Sequence, residues 1–184
     1  MMDGDEQDDD RKYFGKYRGI VMNNIDPEQR GRIQVVAADV PTLLPPTWAM
    51  PCLPVGGIQS GFFTVPPIGA GVWVEFEQGD PDYPIWVGCY WGSAAEVPAL
   101  AKLTPPGVAG ITLQTTLQNG IILNDVPGPA GGIVLKSATN ASIIVNDTGI
   151  YIQNGKGASI LLVGPSVTVS GKPVSVNEGA LAVL

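Results

Sequence analysis

From about Gly110 to Leu184 the chain repeats one short phrase, an aliphatic run of three residues set between Gly, Asn, Ser or Pro. The runs are Ile111-Thr112-Leu113, Ile121-Ile122-Leu123, Ile133-Val134-Leu135, Ile143-Ile144-Val145, Ile150-Tyr151-Ile152, Ile160-Leu161-Leu162, Val167-Thr168-Val169 and Val174-Ser175-Val176. Successive runs begin 7 to 12 residues apart. No apolar spacing of three and four residues recurs, so a helix is excluded and a stack of strand-and-turn units is predicted. A unit of this size cannot bury its apolar face alone. A single-chain solenoid uses about three strands per rung, so these runs make fewer than three rungs, with unprotected ends and long apolar edges. Three chains wound together would cover every face, which predicts an intertwined, homotrimeric β-helix, or needle, over residues 111–184. At about 4.8 Å per stacked strand the shaft would be roughly 40 Å long.

The preceding region has a different texture, and residues 17–92 read as a small barrel. Gly19 to Asn24 is a first strand, and Asp26-Pro27-Glu28-Gln29-Arg30-Gly31 is a loop of turn residues. In the next strand Ile33, Val35 and Ala37 share one face, directed at the core. Trp48 to Val55 is interrupted by Pro51 and Pro54 and fits an edge or bent strand. Val72, Val74 and Phe76 alternate with Trp73, Glu75 and Glu77; Ile85, Val87 and Cys89 alternate with Trp86, Gly88 and Tyr90. The loop Gln78 to Pro84 joins these two strands. About five strands in this length is the scale of an OB-fold barrel, with a small sandwich as the competing arrangement. Residues 93–110, rich in Ala and Pro, read as a linker. The fold class is therefore all-β.

The formal net charge of −7 comes mostly from one end, because residues 1–10 hold six acids. Residues 1–16 are expected to form an acidic, disordered arm. Between Ile33 and Ala101 there is no Lys or Arg, which weighs against nucleic acid as a partner. No apolar run resembles a signal peptide or spans a bilayer, so cytoplasmic synthesis and assembly are expected. Cys52 and Cys89 are then expected as buried thiols in neighbouring strands rather than as a disulfide.

The chain has no histidine, which removes Ser-His-Asp and Cys-His chemistry and His-ligated metals; no cofactor, metal or catalytic residue is assigned. Glu75, Glu77, Asp80 and Asp82 could in principle supply a carboxylate pair, but acids beside a turn read as solvated surface. Gly149 to Lys156 approximates a phosphate loop with the wrong spacing and no following helix. Trp48, Trp73, Trp86 and Trp91 leave an alternative open, an OB-fold binding module for single-stranded nucleic acid or glycan.

Several of these motifs together resemble a known family. Tyr17-Arg18-Gly19-Ile20-Val21, Asp26-Pro27-Glu28, Gly31-Arg32-Ile33-Gln34-Val35, Trp48-Ala49, Pro66-Pro67-Ile68-Gly69, Val72-Trp73-Val74-Glu75-Phe76 and Gly79-Asp80-Pro81-Asp82-Tyr83-Pro84-Ile85 are similar to the baseplate assembly protein V family. That family takes in phage central spikes, the OB domain of VgrG proteins of type VI secretion, and spikes of extracellular contractile injection systems. The resemblance implies a non-enzymatic, trimeric central spike, with OB barrels around the base of a β-helical needle under a hub and inner tube. It implies as partners two further copies, a hub protein, a PAAR-repeat tip protein and effector cargo, in the baseplate of a phage tail or tail-like particle. The linker leaves no room for the lysozyme domain of T-even spikes, the VgrG hub domains are absent, and so are the iron-binding tip histidines. The apolar end Ala180, Leu181, Ala182, Val183 and Leu184 is accordingly the expected seat of a separate tip protein.

Overall fold

The computed structural model describes residues 11–176 and 181–183, the side chains of 176 and 181–183 excepted. Between Glu96 and Val97 the chain divides into two compact units. The first is built on β1 (Tyr17–Asn23), β2 (Ile33–Ala37), β3 (Thr47–Pro51), a small hairpin of β4 (Gly56–Gly57) and β5 (Ser60–Gly61), β6 (Gly71–Phe76) and β7 (Pro84–Tyr90). Strands β1, β2, β3, β7 and β6 close into a barrel in that order. All contacts are antiparallel except β3 with β7, where Met50 faces Ile85 and Pro51 faces Trp86. The closed sheet decides against the sandwich, since no edge is left open among these five strands.

The alternating positions turn inward as their period requires. Ile33, Val35 and Val74 are fully buried, and Val21, Ala37, Ala49, Val72 and Phe76 complete the core with Val40 and Leu43. Gly19 permits the tight crossing of β1 over β6, because a Cβ there would stand 2.9 Å from Val74 Cγ2. On β7 the inward residues are Pro84 and Trp86. The register slips by one between Trp73 and Val74, which pair with Gly88 and Trp86, so Val87 is the extra residue of a bulge. The bulge aims the Trp86 indole into the core, where its Nε1 donates to the Gly31 carbonyl at 3.1 Å.

Two expectations change here. Residues 11–16, grouped with the acidic arm, lie against the barrel: Tyr13 is 4 % exposed, its N–H donates to the Gly79 carbonyl at 2.7 Å, and its ring meets Tyr17 and Phe76. Aromatic burial holds what composition alone would leave free; residues 1–10 are outside the described part. Cys52 and Cys89 are on neighbouring strands or their ends, but both are exposed free thiols rather than buried ones. Cys89 follows the bulge and Cys52 follows the end of β3.

The second unit begins with a 3-10 turn, Ala99–Leu103, within the stretch expected as linker. Leu100 is 4 % exposed, and its N–H donates to Gln114 Oε1 at 2.8 Å. Seven strands follow: β8 (Gly110–Gln114), β9 (Gly120–Asn124), β10 (Gly132–Lys136), β11 (Ser142–Asn146), β12 (Gly149–Gln153), β13 (Ser159–Val163) and β14 (Ser166–Ser170). They form one antiparallel sheet in simple sequence order. From β8 to β14 each strand pairs with its sequence neighbours in the same chain, and the outer edges of β8 and β14 are open in this sheet. Strands β15 (Val174–Val176) and β16 (Leu181–Val183) make a separate hairpin.

Candidate functional site

Each strand of the meander is five residues long, with a small or polar residue at nearly every end and an aliphatic residue at positions two and four. Positions two and four point to the same face. Antiparallel register then carries them down the sheet in two files. One runs Ile111, Leu123, Ile133, Val145, Ile150, Leu162, Val167. The other runs Leu113, Ile121, Leu135, Ile143, Ile152, Ile160, Val169.

Every one of these side chains is exposed in the single chain, from 37 % at Ile150 and Leu162 to 67 % at Val167. Together they leave on the order of 1,000 Å² of aliphatic surface uncovered, about twice the largest patch of an ordinary monomer. No charge or hydrogen-bonding side chain interrupts either file. The opposite face is better covered: Ile122 is 3 % exposed, and Val134, Ile144, Tyr151 and Leu161 are half-buried. The middle residue of each triplet therefore belongs to a different surface from its two neighbours. Sequence reasoning counted the triplets but did not divide them; the signal available was the strict period of two between the Gly or Ser that opens most strands and the Asn or Gln that ends several.

Polar groups hold the turns at the two sides of the sheet. Asn124, Asn146 and Asn154 each accept backbone N–H bonds two or more residues ahead, as in Val126 N to Asn124 Oδ1 at 3.1 Å. Successive turns on one side are also joined, Gly128 N donating to Asp147 Oδ2 at 3.0 Å on one side and Ala138 N to Asn119 Oδ1 at 3.0 Å on the other. Gly132, at φ +87°, is required where the chain enters β10, since a Cβ would lie 2.1 Å from the Val145 carbonyl oxygen.

On the barrel the most ordered polar cluster is the loop at Asp26. Its carboxylate accepts from the N–H groups of Glu28, Arg30 and Arg32 at 3.0, 2.8 and 3.2 Å and from Arg32 Nε and Nη2 at 3.1 and 2.7 Å. The Arg32 guanidinium and these N–H bonds hold the Asp26 carboxyl well below the usual carboxylate range. Arg32 in turn lies over the Trp48 ring, 5.4 Å from its centroid, and meets Glu28 at 2.9 Å. This is a brace for the loop, with every oxygen lone pair directed at the protein itself.

Two of the acids considered for catalysis, Glu75 and Asp80, are likewise engaged. Glu75 pairs with Lys16, and Asp80 accepts from Asp82 N at 3.1 Å and from Lys12 at 3.3 Å, which keeps its carboxyl below the ordinary range. The four tryptophans do not form one platform. Trp86 is in the core, Trp48 is faced by Arg32, Trp73 lies beside Tyr90 with Arg18 over both rings, and Trp91 is 61 % exposed. Of the expected tip residues, Leu181, Ala182 and Val183 form β16, paired with β15, while Ala180 and Leu184 fall outside the described residues.

The comparisons with known proteins divide the chain in the same way. Residues 17–91 match a family model described as the type VI secretion system/phage-baseplate injector OB domain. Residues 110–182 match the phage baseplate V C-terminal trimerisation domain. No curated protein matches the chain.

Proposed function

We propose, from the premise that this chain belongs to the phage baseplate V family of spike proteins, that three copies form the central spike of a contractile, phage-tail-like injection apparatus. The meanders of the three chains turn their aliphatic files inward and make a dry, three-sided shaft. The assembly stands beneath a hub protein and inner tube, and the terminal residues around 180–184 receive a PAAR-repeat tip protein. Its work is mechanical: force from the contracting sheath is carried along the shaft to a target membrane, with effector cargo travelling on the same particle. No catalytic step is assigned to any residue.

The observation that carries this reading is the pair of uninterrupted aliphatic files, exposed in one chain and lying within the segment that matches a trimerisation domain. Burying such a surface at about 25 cal/mol per Å² supplies on the order of 25 kcal/mol per chain before the cost of association. A polar binding module has no use for it. Among the described residues no helix is long and apolar enough to cross a membrane. Sedimentation of the full chain and of a chain lacking residues 111–184 tests the division of labour. The full chain should be trimeric and the truncated barrel folded but monomeric; equal trimer stability in both would refute the assignment.

A further inference from the structure

The sheet ends in a groove. After Ser170 the chain does not add β15 to the free edge of β14; it turns at Gly171 and starts a hairpin of its own. Between that hairpin and the end of the second file lies an open groove whose apolar walls are Ile152, Ile160 and Val169 on one side and Pro173 and Val174 on the other. Among the described residues no side chain of the same chain fills it.

We infer that this groove receives the β13–β14 turn of a second copy, Leu162, Val163 and Val167 entering between the file and the hairpin, so that each terminal hairpin latches over its neighbour. The inference rests on the trimeric reading above. Three parallel chains about a threefold axis make a heterologous contact, in which one side of each sheet meets the opposite side of the next. The turns after β9, β11 and β13 lie on one side of the sheet, next to the file that holds Leu162 and Val167. The groove lies on the other side, beside the file of Ile152, Ile160 and Val169. The rotation that closes the ring therefore brings the β13–β14 turn of one copy to the groove of the next.

The entering turn suits the seat. Val163 is 44 % exposed and Val167 67 %, and Gly164-Pro165 between their strands carries no bulky or charged side chain. The groove is continuous with the aliphatic files that fall inside the trimerisation-domain match, so the latch extends that surface rather than adding a separate one. Closing three latches in one direction also fixes the axial register of the chains, which the uniform aliphatic files by themselves specify weakly.

The test is a cysteine pair, Val163→Cys with Val174→Cys, in the full chain carrying Cys52→Ser and Cys89→Ser. Mild oxidation should convert most of the protein to covalent dimer and trimer on a non-reducing denaturing gel, while each single cysteine variant stays at the monomer position. If the oxidised pair runs as monomer, or as an internally linked monomer, while the native protein still sediments as a trimer, the latch is wrong and the trimer stands. If the cysteine-free parent itself sediments as a monomer, the trimeric reading fails and the latch with it.

Discussion

Replacing Ile133 by Asn places one amide in the middle of the first aliphatic file, between Leu123 and Val145. Ile133 is 46 % exposed in the single chain, so roughly 80 Å² of its side chain awaits a partner, worth about 2 kcal/mol per chain when covered. A buried amide without hydrogen-bond partners costs a further 1–3 kcal/mol or so. Over three chains the trimer should lose on the order of 10 kcal/mol, or about seven decades in its association constant. The single sheet should hardly notice, since the position is open to water there. Sedimentation velocity over a dilution series, with far-UV circular dichroism to confirm strand content, reads both quantities. The matched control is Thr168→Asn, on the opposite face of β14 and exposed, which should leave association unchanged. A folded Ile133→Asn protein that trimerises at the same concentrations as the parent would show that the files do not face a partner.

Other expectations are simpler. Leu100→Ala removes a buried side chain from the start of the second unit and should lower that unit's unfolding free energy by about 2–4 kcal/mol in a denaturant titration; an unchanged midpoint would mean that the 3-10 turn is not part of its core. Asp26 and Asp80 both have depressed carboxyl values, so their contribution to stability is fully present above the unfolded value of about 3.9 and is lost as the pH falls through the lower folded values. Calorimetry of the barrel should give a flat melting temperature from neutral pH down to about pH 5 and a steep fall below pH 4. Asp26→Asn should lower stability at neutral pH and shallow that acid limb; an acid limb identical to the parent's would remove Asp26 from it.

Much of this architecture can be read from side-chain period alone. Ile33, Val35 and Ala37, and then Val72, Val74 and Phe76, face inward because each run alternates without interruption and one face is wholly aliphatic or aromatic. Strand β7 resists the same reading: a bulge at Val87 shifts its register, so which of its alternating sets faces inward depends on hydrogen bonds to β6 rather than on its own residues. Tyr13 is a similar case, since its burial depends on a Gly79 carbonyl and a Phe76 ring far along the chain. The aliphatic triplets announce strands plainly. That their outer members face one way and their middle members the other follows from where each strand begins, which is set by Gly and Asn turns such as Asn146 to Gly149. The exposure of Cys52 and Cys89 is not legible in the sequence, because compartment argues about oxidation, while exposure depends on what the fold packs around each thiol.

The order of the ladders in the second unit bears on how such a spike is built. Every strand from β8 to β14 bonds to its neighbours in sequence, so each ladder between them is completed by the adjoining hairpin, and only the outer edges of β8 and β14 are left open. A sheet of this kind can pleat progressively as the polypeptide emerges, because each new hairpin closes a short loop. What it cannot do alone is hide its aliphatic face. Assembly then becomes a meeting of preformed plates, second in time and dependent on concentration, and the interval between pleating and meeting is when a cell making this protein has most reason to keep its copies apart from everything else.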